Sequence, residues 1–205
     1  MPVPDSVFSS KLILIRHGET EWNRAKIMQG WLDSKLTAKG RNQIRSAAVK
    51  LQALQCQSPI AIYTSDLGRA MASARIIANQ INGYLVVDKR LRERNYGEFQ
   101  GKPIGDLPPS SFHQTMESDS QYLDRIQSVM SDIAKRKSSY PTVVVGHGEW
   151  IGTYLKHYTH QAAFEIPKNG QSVFVRERSF IKESSFVQES CLIREKENAE
   201  SGGVQ

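Results

Sequence analysis

Four short apolar runs alternate with amphipathic stretches along this chain, and this alternation constrains the fold more than any other feature of the sequence. The runs lie within residues 11–15, 60–63, 84–87 and 143–145. Each is apolar at consecutive positions instead of alternate ones, as in strands that are buried on both faces of a sheet. Strands of this kind, separated by helices, predict an α/β domain built around a mostly parallel sheet.

The stretches between the runs have the period of helices that bury one face. Thr37 is the predicted N-cap of a helix whose apolar residues recur every three or four positions. Asp66 is predicted to open a second helix, which carries Arg69 in its first turn. Further helices are predicted over residues 121–136 and 149–158.

The length of 205 residues fits one domain with a continuous core. Two short apolar runs, at residues 172–175 and 191–193, are candidates for edge strands. A segment rich in proline and serine predicts a loop that covers the substrate. The expected parts are an N-terminal extension (residues 1–10), a single domain (11–194) that includes the covering loop (101–120), and a frayed tail (195–205).

The chain carries 27 Lys and Arg against 21 Asp and Glu, a formal net charge of +6. Such a charge fits a nucleic-acid surface, a membrane surface or a pocket for a small anion. The cations are dispersed instead of forming a basic tract, which disfavours nucleic acid as a partner.

No apolar run approaches the roughly 18 residues of a membrane span, and residues 1–10 lack the pattern of a signal peptide. We therefore expect a cytoplasmic protein without a membrane partner. Cys56 and Cys191 lack the paired spacing of zinc or redox sites, so they are interpreted as isolated thiols.

Two histidines follow the ends of predicted strands. His17 comes just after the first apolar run, and His147 just after the last. Because ligands of open α/β sheets bind at the carboxyl ends of the strands, both imidazoles are expected in one crevice. Arg16 precedes His17, and Arg69 lies at a helix start, where a cation is unfavourable unless an anion is there.

Two arginines and two histidines in one crevice suit a phosphoryl group. Guanidinium groups bind tetrahedral oxyanions through paired hydrogen bonds and keep their charge at physiological pH. Neighbouring cations lower the pKa of an imidazole, which leaves it neutral and able to attack phosphorus. The sequence has no Walker loop and no evident metal cluster, so we expect neither a metal nor another cofactor.

The chain also carries five ordered sequence motifs. They are LIRHGETEWN (residues 14–23), QGW with LTAKG (29–31, 36–40), TSDLGRA (64–70), LRERNYG with QG (91–97, 100–101) and VGHG (145–148). Together they resemble the motifs of the histidine phosphatase superfamily, in its phosphoglycerate mutase-like branch. The resemblance extends from residue 12 to about residue 176. It implies a three-layer α/β/α fold with a mostly parallel central sheet.

The resemblance implies roles for individual residues. His17 would be the nucleophile that becomes phosphohistidine, and Glu93 the general acid and base. The implied ligands of the phosphoryl oxygens are Arg16, Arg69 and His147. Further implied substrate-side positions are Thr20, Glu21, Asn23, Gln29, Gly30, Tyr96 and Gly148. For Thr20 and Glu21, a role only in shaping the loop is the alternative.

The superfamily contains mutases, small-molecule phosphatases, protein phosphatases and inactive binding modules, so the resemblance leaves the substrate open. Gln100 favours a mutase, because many phosphatases of this family have an acidic residue there. Lys102 argues against one, because it is the only Lys or Arg between Gly101 and Arg125, and mutases supply further cations from this segment.

We therefore predict hydrolysis of a small phosphorylated metabolite, such as a sugar phosphate. The alternative is phosphoglycerate mutase or fructose-2,6-bisphosphatase-like activity. An inactive interaction module is disfavoured because the expected catalytic positions keep competent residue types, and a protein phosphatase is also less favoured. A homodimer is left open.

Glu149 and Trp150 stand where the family usually has small or apolar residues. We predict that Glu149 caps its helix and that Trp150 packs in the core. The alternative for Glu149 is a position in the pocket, where its charge would repel strongly anionic substrates.

Overall fold

Five strands form one mixed sheet in the computed structural model, which describes residues 10–52, 54, 58–106, 114–136, 140–159 and 166–176. In chain order they are β1 (Ser10–Arg16), β2 (Ile60–Thr64), β3 (Gly83–Val87), β4 (Thr142–Gly146) and β5 (Ser172–Arg176). The order across the sheet is β3-β2-β4-β1-β5. The first four strands in that order run parallel, and β5 pairs antiparallel with β1 at the edge. The mostly parallel sheet and the predicted strand at residues 172–175 are confirmed.

The helices lie on both faces of this sheet. They are α1 (Glu21–Arg24), α2 (Ala38–Gln52), α3 (Gly68–Ile81), α4 (Asp119–Ala134) and α5 (Gly148–Thr159), with single 3-10 turns at Lys89–Leu91, Gly97–Phe99 and Ile104–Asp106. Helices α2 and α3 pack on one face, and α4 and α5 pack on the other. None of the helices in the described ranges is long and apolar enough to cross a membrane.

Strand β1 shows why the apolar runs are continuous. Its side chains alternate between the faces, so Ile13 and Ile15 join the core under α2 and α3. Leu12 and Leu14 join the core under α4 and α5. A strand covered on both faces needs an apolar residue at every position, and the three-layer α/β/α architecture follows.

The predicted helix starts were right in one case and wrong in another. Thr37 caps α2, because its Oγ1 accepts the Gly40 N–H at 2.9 Å. Asp66 does not cap α3, which begins at Gly68. Asp33, from the loop after α1, accepts the N–H groups of Gly68 and Arg69 instead, and Asp66 binds the Arg92 guanidinium.

The predicted covering loop at residues 101–120 is partly regular. It contains the Ile104–Asp106 turn, and α4 begins at Asp119 behind its N-cap Ser118, so the helix starts inside the predicted loop. The start of the segment is pinned to the loop after α1, because the Gly101 N–H donates to the Met28 carbonyl at 2.8 Å. Its substrate-covering role stays a prediction.

Several predictions lie outside the described residues. They concern residues 1–9 of the extension, the apolar run at 191–193, the tail at 195–205, and the two cysteines Cys56 and Cys191.

Candidate active site

The two histidines lie side by side at the carboxyl edge of the sheet. The register between β1 and β4 sets Arg16 opposite Gly146, and the His17 N–H donates to the Gly146 carbonyl at 2.9 Å. His17 follows Arg16 and His147 follows Gly146, so the register places the two histidines next to each other. Their ring centroids are 5.3 Å apart at 60°, and both side chains are buried. The structure thus brings His17 and His147 together, as expected from their strand ends, and their role in a ligand-binding crevice stays a prediction.

The hydrogen bonds of His17 define its tautomer. Nδ1 lies 2.8 Å from the Gly18 carbonyl, which only accepts, so the proton is on Nδ1 and Nε2 carries the lone pair. Arg69 Nε donates to this Nε2 at 3.3 Å. Burial, followed by the charges of Arg69 and Arg16, holds the pKa of His17 well below 6.5. The ring is therefore neutral at physiological pH, with a nucleophilic nitrogen facing Arg69.

Arg69 is buried and anchored by the loop after α1. Nη1 donates to the Leu32 carbonyl at 2.8 Å and to Asp33 Oδ1 at 3.0 Å, and Nη2 donates to the Gly30 carbonyl at 2.7 Å. The anion expected beside this cation at the helix start is thus supplied in part by Asp33. These bonds leave Nε as the edge of the guanidinium that faces His17.

Gly30 permits this anchoring loop to approach the Gly97–Phe99 turn. Its φ of +53° favours glycine, and an added Cβ would lie 2.2 Å from Gln100 Oε1. The same Oε1 accepts the Trp31 N–H at 2.6 Å. Gln100 therefore holds the Arg69-binding loop in place.

Two buried side-chain nitrogens of the site have no hydrogen-bond partner. Among the described side chains, Arg16 Nε and His147 Nδ1 are two of three buried polar atoms without a hydrogen bond. Arg16 is fixed by its Nη1, which donates to the Pro167 carbonyl at 2.9 Å. His147 is fixed by its Nε2, which is 2.8 Å from the Ser65 hydroxyl. A buried donor without a partner costs about 1–3 kcal/mol, so the site fits a ligand with several acceptor oxygens.

Gly148 brings the start of α5 close to this pair. A Cβ at Gly148 would lie 2.8 Å from Cζ of Arg16, so glycine lets the helix approach the guanidinium as it is placed here. The N-terminus of a helix favours anions. The predicted substrate-side position of Gly148 is consistent with this geometry.

Glu93 reaches the start of α5 from the segment after β3. Oε1 accepts from Tyr122 Oη at 2.9 Å and from the N–H groups of Trp150 at 3.1 Å and Arg94 at 3.0 Å. Oε2 accepts the Glu149 N–H at 3.2 Å. Burial lowers the pKa of Arg16, and the nearby Glu93 carboxylate opposes that shift. The carboxylate is thus ordered and lies next to the cationic side of the site.

The prediction that Glu149 caps α5 is wrong. Glu93 takes the helix N–H groups, and the Glu149 side chain turns to Arg94 Nη1 at 3.3 Å and to the Tyr96 hydroxyl. Burial and the negative charge of Glu93 raise the pKa of Glu149 to about 7. Trp150 is fully buried, as predicted, and stacks on Tyr154.

The remaining predicted residues lie in the loop that begins after His17. Thr20 and Asn23 form a capping box at α1, and Asn23 Oδ1 also accepts from Asn169. Glu21 pairs with Arg24 at the surface. Gln29 is buried, with its Oε1 3.4 Å from the Ser34 hydroxyl. The capping role of Thr20 and the surface pairing of Glu21 agree with the alternative that these two residues only shape the loop. A substrate role for Thr20, Glu21, Asn23 and Gln29 stays a prediction.

Four supporting residues were missed in the sequence: Asp33, Ser65, Tyr122 and Asn169. Ser65 had a signal, because it directly follows β2 and so ends a strand next to β4, like the two histidines. Asn169 donates to the His17 carbonyl at 3.1 Å and lies in the PKNG stretch before β5. Asp33 and Tyr122 act across more than 25 residues of sequence, and no local pattern marks them. No group of three or more metal-binding side chains occurs in the described ranges.

We expect acid to weaken the fold through the two buried histidines. Burial and neighbouring cations hold the pKa of both His17 and His147 well below 6.5 in the folded protein. Below pH 6.5 the unfolded chain therefore binds protons that the folded chain does not, so the free energy of unfolding decreases as the pH falls towards the depressed values. Thermal unfolding measured between about pH 7.5 and about pH 5 should show that wild type loses stability more steeply with acid than His147→Gln does.

The matched control is His157→Gln, which removes an exposed histidine of α5. It should lose stability with acid as steeply as wild type. Equal slopes for wild type and His147→Gln would contradict the assignment of His147 as a buried neutral ring.

The geometry can be compared with known proteins. A model of the histidine phosphatase superfamily (branch 1) matches residues 12–173. The chain is 33% identical over 156 residues to a probable phosphoglycerate mutase, GpmB, of Enterobacter sp. (strain 638), which covers 69% of this chain and 71% of that protein. A mycobacterial glucosyl-3-phosphoglycerate phosphatase in complex with VO3 has a TM-score of 0.72 and 25% identity, covering 81% of this chain and 90% of that chain. Bacillus stearothermophilus YhfR has a TM-score of 0.71 and 26% identity, covering 80% and 89%.

Proposed function

Because this chain belongs to the histidine phosphatase superfamily, we propose that it is a phosphomonoester hydrolase that acts through a phosphohistidine on a small phosphorylated metabolite. One observation carries the proposal: two unpartnered buried donors, Arg16 Nε and His147 Nδ1, stand beside a neutral His17. A phosphoryl group supplies the acceptor oxygens that these donors lack, and it supplies the phosphorus that a neutral imidazole attacks.

In the first step, His17 Nε2 forms a bond to phosphorus as the bond from phosphorus to the leaving oxygen breaks. The phosphoryl oxygens accept from Arg16 Nε, His147 Nδ1 and Arg69 Nε, whose present contact with His17 Nε2 is 3.3 Å long. The leaving alkoxide needs a proton, and Glu93, which starts the cycle as the protonated acid, gives it. The mechanism requires the tautomer in which His147 Nε2 accepts from the Ser65 hydroxyl, 2.8 Å away, and the ring proton is on Nδ1.

In the second step, water attacks the phosphorus of the phosphohistidine. Glu93, now a carboxylate, takes a proton from this water, and the bond between phosphorus and Nε2 breaks. The products are inorganic phosphate and a neutral His17. All the positive charge used is protein charge, so we expect no metal requirement.

Hydrolysis is favoured over mutase activity by the segment that follows Gly101. Its Lys102 packs over the Phe99 ring at 5.4 Å, and no other Lys or Arg precedes Arg125. A mutase must also bind the second anionic group of its substrate. The mutase-like Gln100 is weak evidence for a mutase, because its Oε1 accepts the Trp31 N–H, a bond that a carboxylate would also make.

Product analysis decides between the two activities. With 3-phosphoglycerate and 2,3-bisphosphoglycerate, we expect release of inorganic phosphate to exceed formation of 2-phosphoglycerate. A panel of sugar phosphates, nucleotides and phosphopeptides then ranks the substrates by kcat/KM, and chelation with EDTA should leave turnover intact. Conversion to 2-phosphoglycerate faster than phosphate release would make the chain a mutase, and loss of turnover in EDTA would contradict the metal-free mechanism.

A further inference from the structure

Glu149 is the carboxylate of this site that the proposed reaction does not use. Its own N–H donates to Glu93 Oε2 at 3.2 Å, so the two acidic residues are neighbours at the start of α5. The preceding residue, Gly148, packs against the Arg16 guanidinium. Because Glu93 protonates the leaving oxygen in the proposed reaction, a side chain beside Glu93 lies on the leaving-group side of the phosphoryl pocket.

The negative charge on this side is poorly balanced. Arg94 is the cation that Glu149 contacts, and Arg94 Nη2 also binds Asp119, so one guanidinium faces two carboxylates. The Tyr96 hydroxyl is a neutral donor. Two other arginines of this region are already paired, Arg92 with Asp66 and Arg125 with Glu117.

The site therefore has a positively charged side and a negatively charged side. The phosphoryl side has Arg16 and Arg69, whose charges both act on His17. The leaving-group side has Glu93 and Glu149. A second anion on the leaving group would have to lie against the Glu149 carboxylate, and like charges in a partly desolvated site oppose binding.

We propose that Glu149 determines specificity, by rejecting phosphomonoesters whose leaving group carries a second anionic group and favouring those whose leaving group is neutral and hydroxyl-bearing. This inference rests on the proposed phosphatase function and names the substrate class within it. The hydroxyl groups of such a leaving group can donate to the Glu149 carboxylate, whereas a carboxylate or a second phosphate cannot.

A matched pair of substrates tests this charge selection. Glycerol 3-phosphate and 3-phosphoglycerate share a three-carbon skeleton and differ in whether a hydroxymethyl or a carboxylate group ends it. We expect wild type to prefer glycerol 3-phosphate by at least about tenfold in kcat/KM. Glu149→Gln should reduce this preference to about threefold or less, chiefly through a lower KM for 3-phosphoglycerate.

The matched control is Asp132→Asn. It removes a carboxylate of α4 that pairs with Arg90 and Lys135 instead of Arg94, at a side chain that is 51% exposed. This variant should keep the wild-type preference. A role for Glu149 in folding alone would lower the kcat/KM of both substrates together and would leave their ratio unchanged.

The pH dependence of the ratio is a second readout. The Glu149 pKa of about 7 means that its charge grows between pH 6 and pH 8, so the wild-type preference should increase with pH while that of Glu149→Gln stays flat. The phosphate group titrates in both substrates and cancels in the ratio. The charged and titratable groups around Glu149 are Arg16, Glu93, Arg94, Tyr96, Asp119 and Tyr122.

Binding separates failure of this inference from failure of the proposed function. If wild type releases no phosphate from these two substrates or from the wider panel of phosphomonoesters, the hydrolase proposal is wrong. The preference is then measured as the ratio of dissociation constants for the same two compounds, by calorimetry, in His17→Ala with and without Glu149→Gln. A ratio that Glu149→Gln leaves unchanged, in turnover or in binding, would overturn the specificity role.

Discussion

Replacement of His17 by alanine should lower kcat by at least about 10⁴-fold, because it removes the only group placed to form a bond with phosphorus in the proposed mechanism. It should also abolish the covalent phosphoenzyme. The neutral ring has its Nδ1 proton on the Gly18 carbonyl, so Nε2 is the attacking atom. Alanine removes this nitrogen and leaves the anchors of Arg69 on residues 30–33 untouched.

Rapid quenching after incubation with a ³²P-labelled phosphomonoester measures the intermediate. Wild type should carry phosphate that is labile in acid and stable in alkali, and His17→Ala should carry none. The matched control is His157→Ala on α5, which should be labelled as wild type is. Labelling of the His17→Ala protein would contradict the assignment of His17 as the nucleophile. It would point to His147, whose ring centroid is 5.3 Å from that of His17 in wild type.

Replacement of Glu93 by glutamine should lower kcat by about 10²- to 10⁴-fold on alkyl phosphates, since their leaving oxygens need a proton. The loss on p-nitrophenyl phosphate should be smaller, because nitrophenolate leaves without one. The ratio of the kcat loss on alkyl phosphates to the kcat loss on p-nitrophenyl phosphate measures the contribution of proton transfer to the leaving oxygen. A general disturbance of the site would affect both substrates alike.

The glutamine variant also changes the start of α5, and a second variant separates the two effects. Glutamine has one acceptor oxygen where Glu93 has two, and both are used by N–H groups of α5. The variant should therefore lose about 1 kcal/mol of stability in addition to its catalytic loss. Tyr122→Phe removes one donor to Glu93 Oε1 and keeps the carboxylate, so its losses should be similar on both substrates. Equal losses for Glu93→Gln on both substrates would argue against proton donation by Glu93.

The central strands were predictable because burial on both faces demands an apolar residue at every position. Leu12 to Ile15 meet this demand, and the helices that cover them have the expected period. The expectation of burial on both faces was wrong for β3, which is an edge strand with Tyr84 and Val87 exposed. The meeting of His17 and His147 was predictable for a related reason, because parallel strands end at one edge of the sheet. Ser65 ends a third strand at that edge and was predictable by the same rule, although it was missed.

The two errors at helix starts share one cause. Asp66 and Glu149 are acidic residues close in sequence to the start of a helix, which is the usual local signal for a cap. In both helices the N–H groups bind a carboxylate from elsewhere, Asp33 for α3 and Glu93 for α5. A helix start attracts any carboxylate that the tertiary fold brings to it, and the displaced acidic side chain finds another partner.

The sequence by itself determined which residues form strands and helices, and hence that two histidines and an arginine stand at strand ends. Only the tertiary structure decided the distances between them and their protonation states. The register of β1 against β4 sets the rings 5.3 Å apart, and burial beside Arg16 and Arg69 keeps them neutral. The tertiary structure also decided which carboxylate binds the start of each helix, because charge and hydrogen-bond competition act through space and are not encoded by neighbours in the chain.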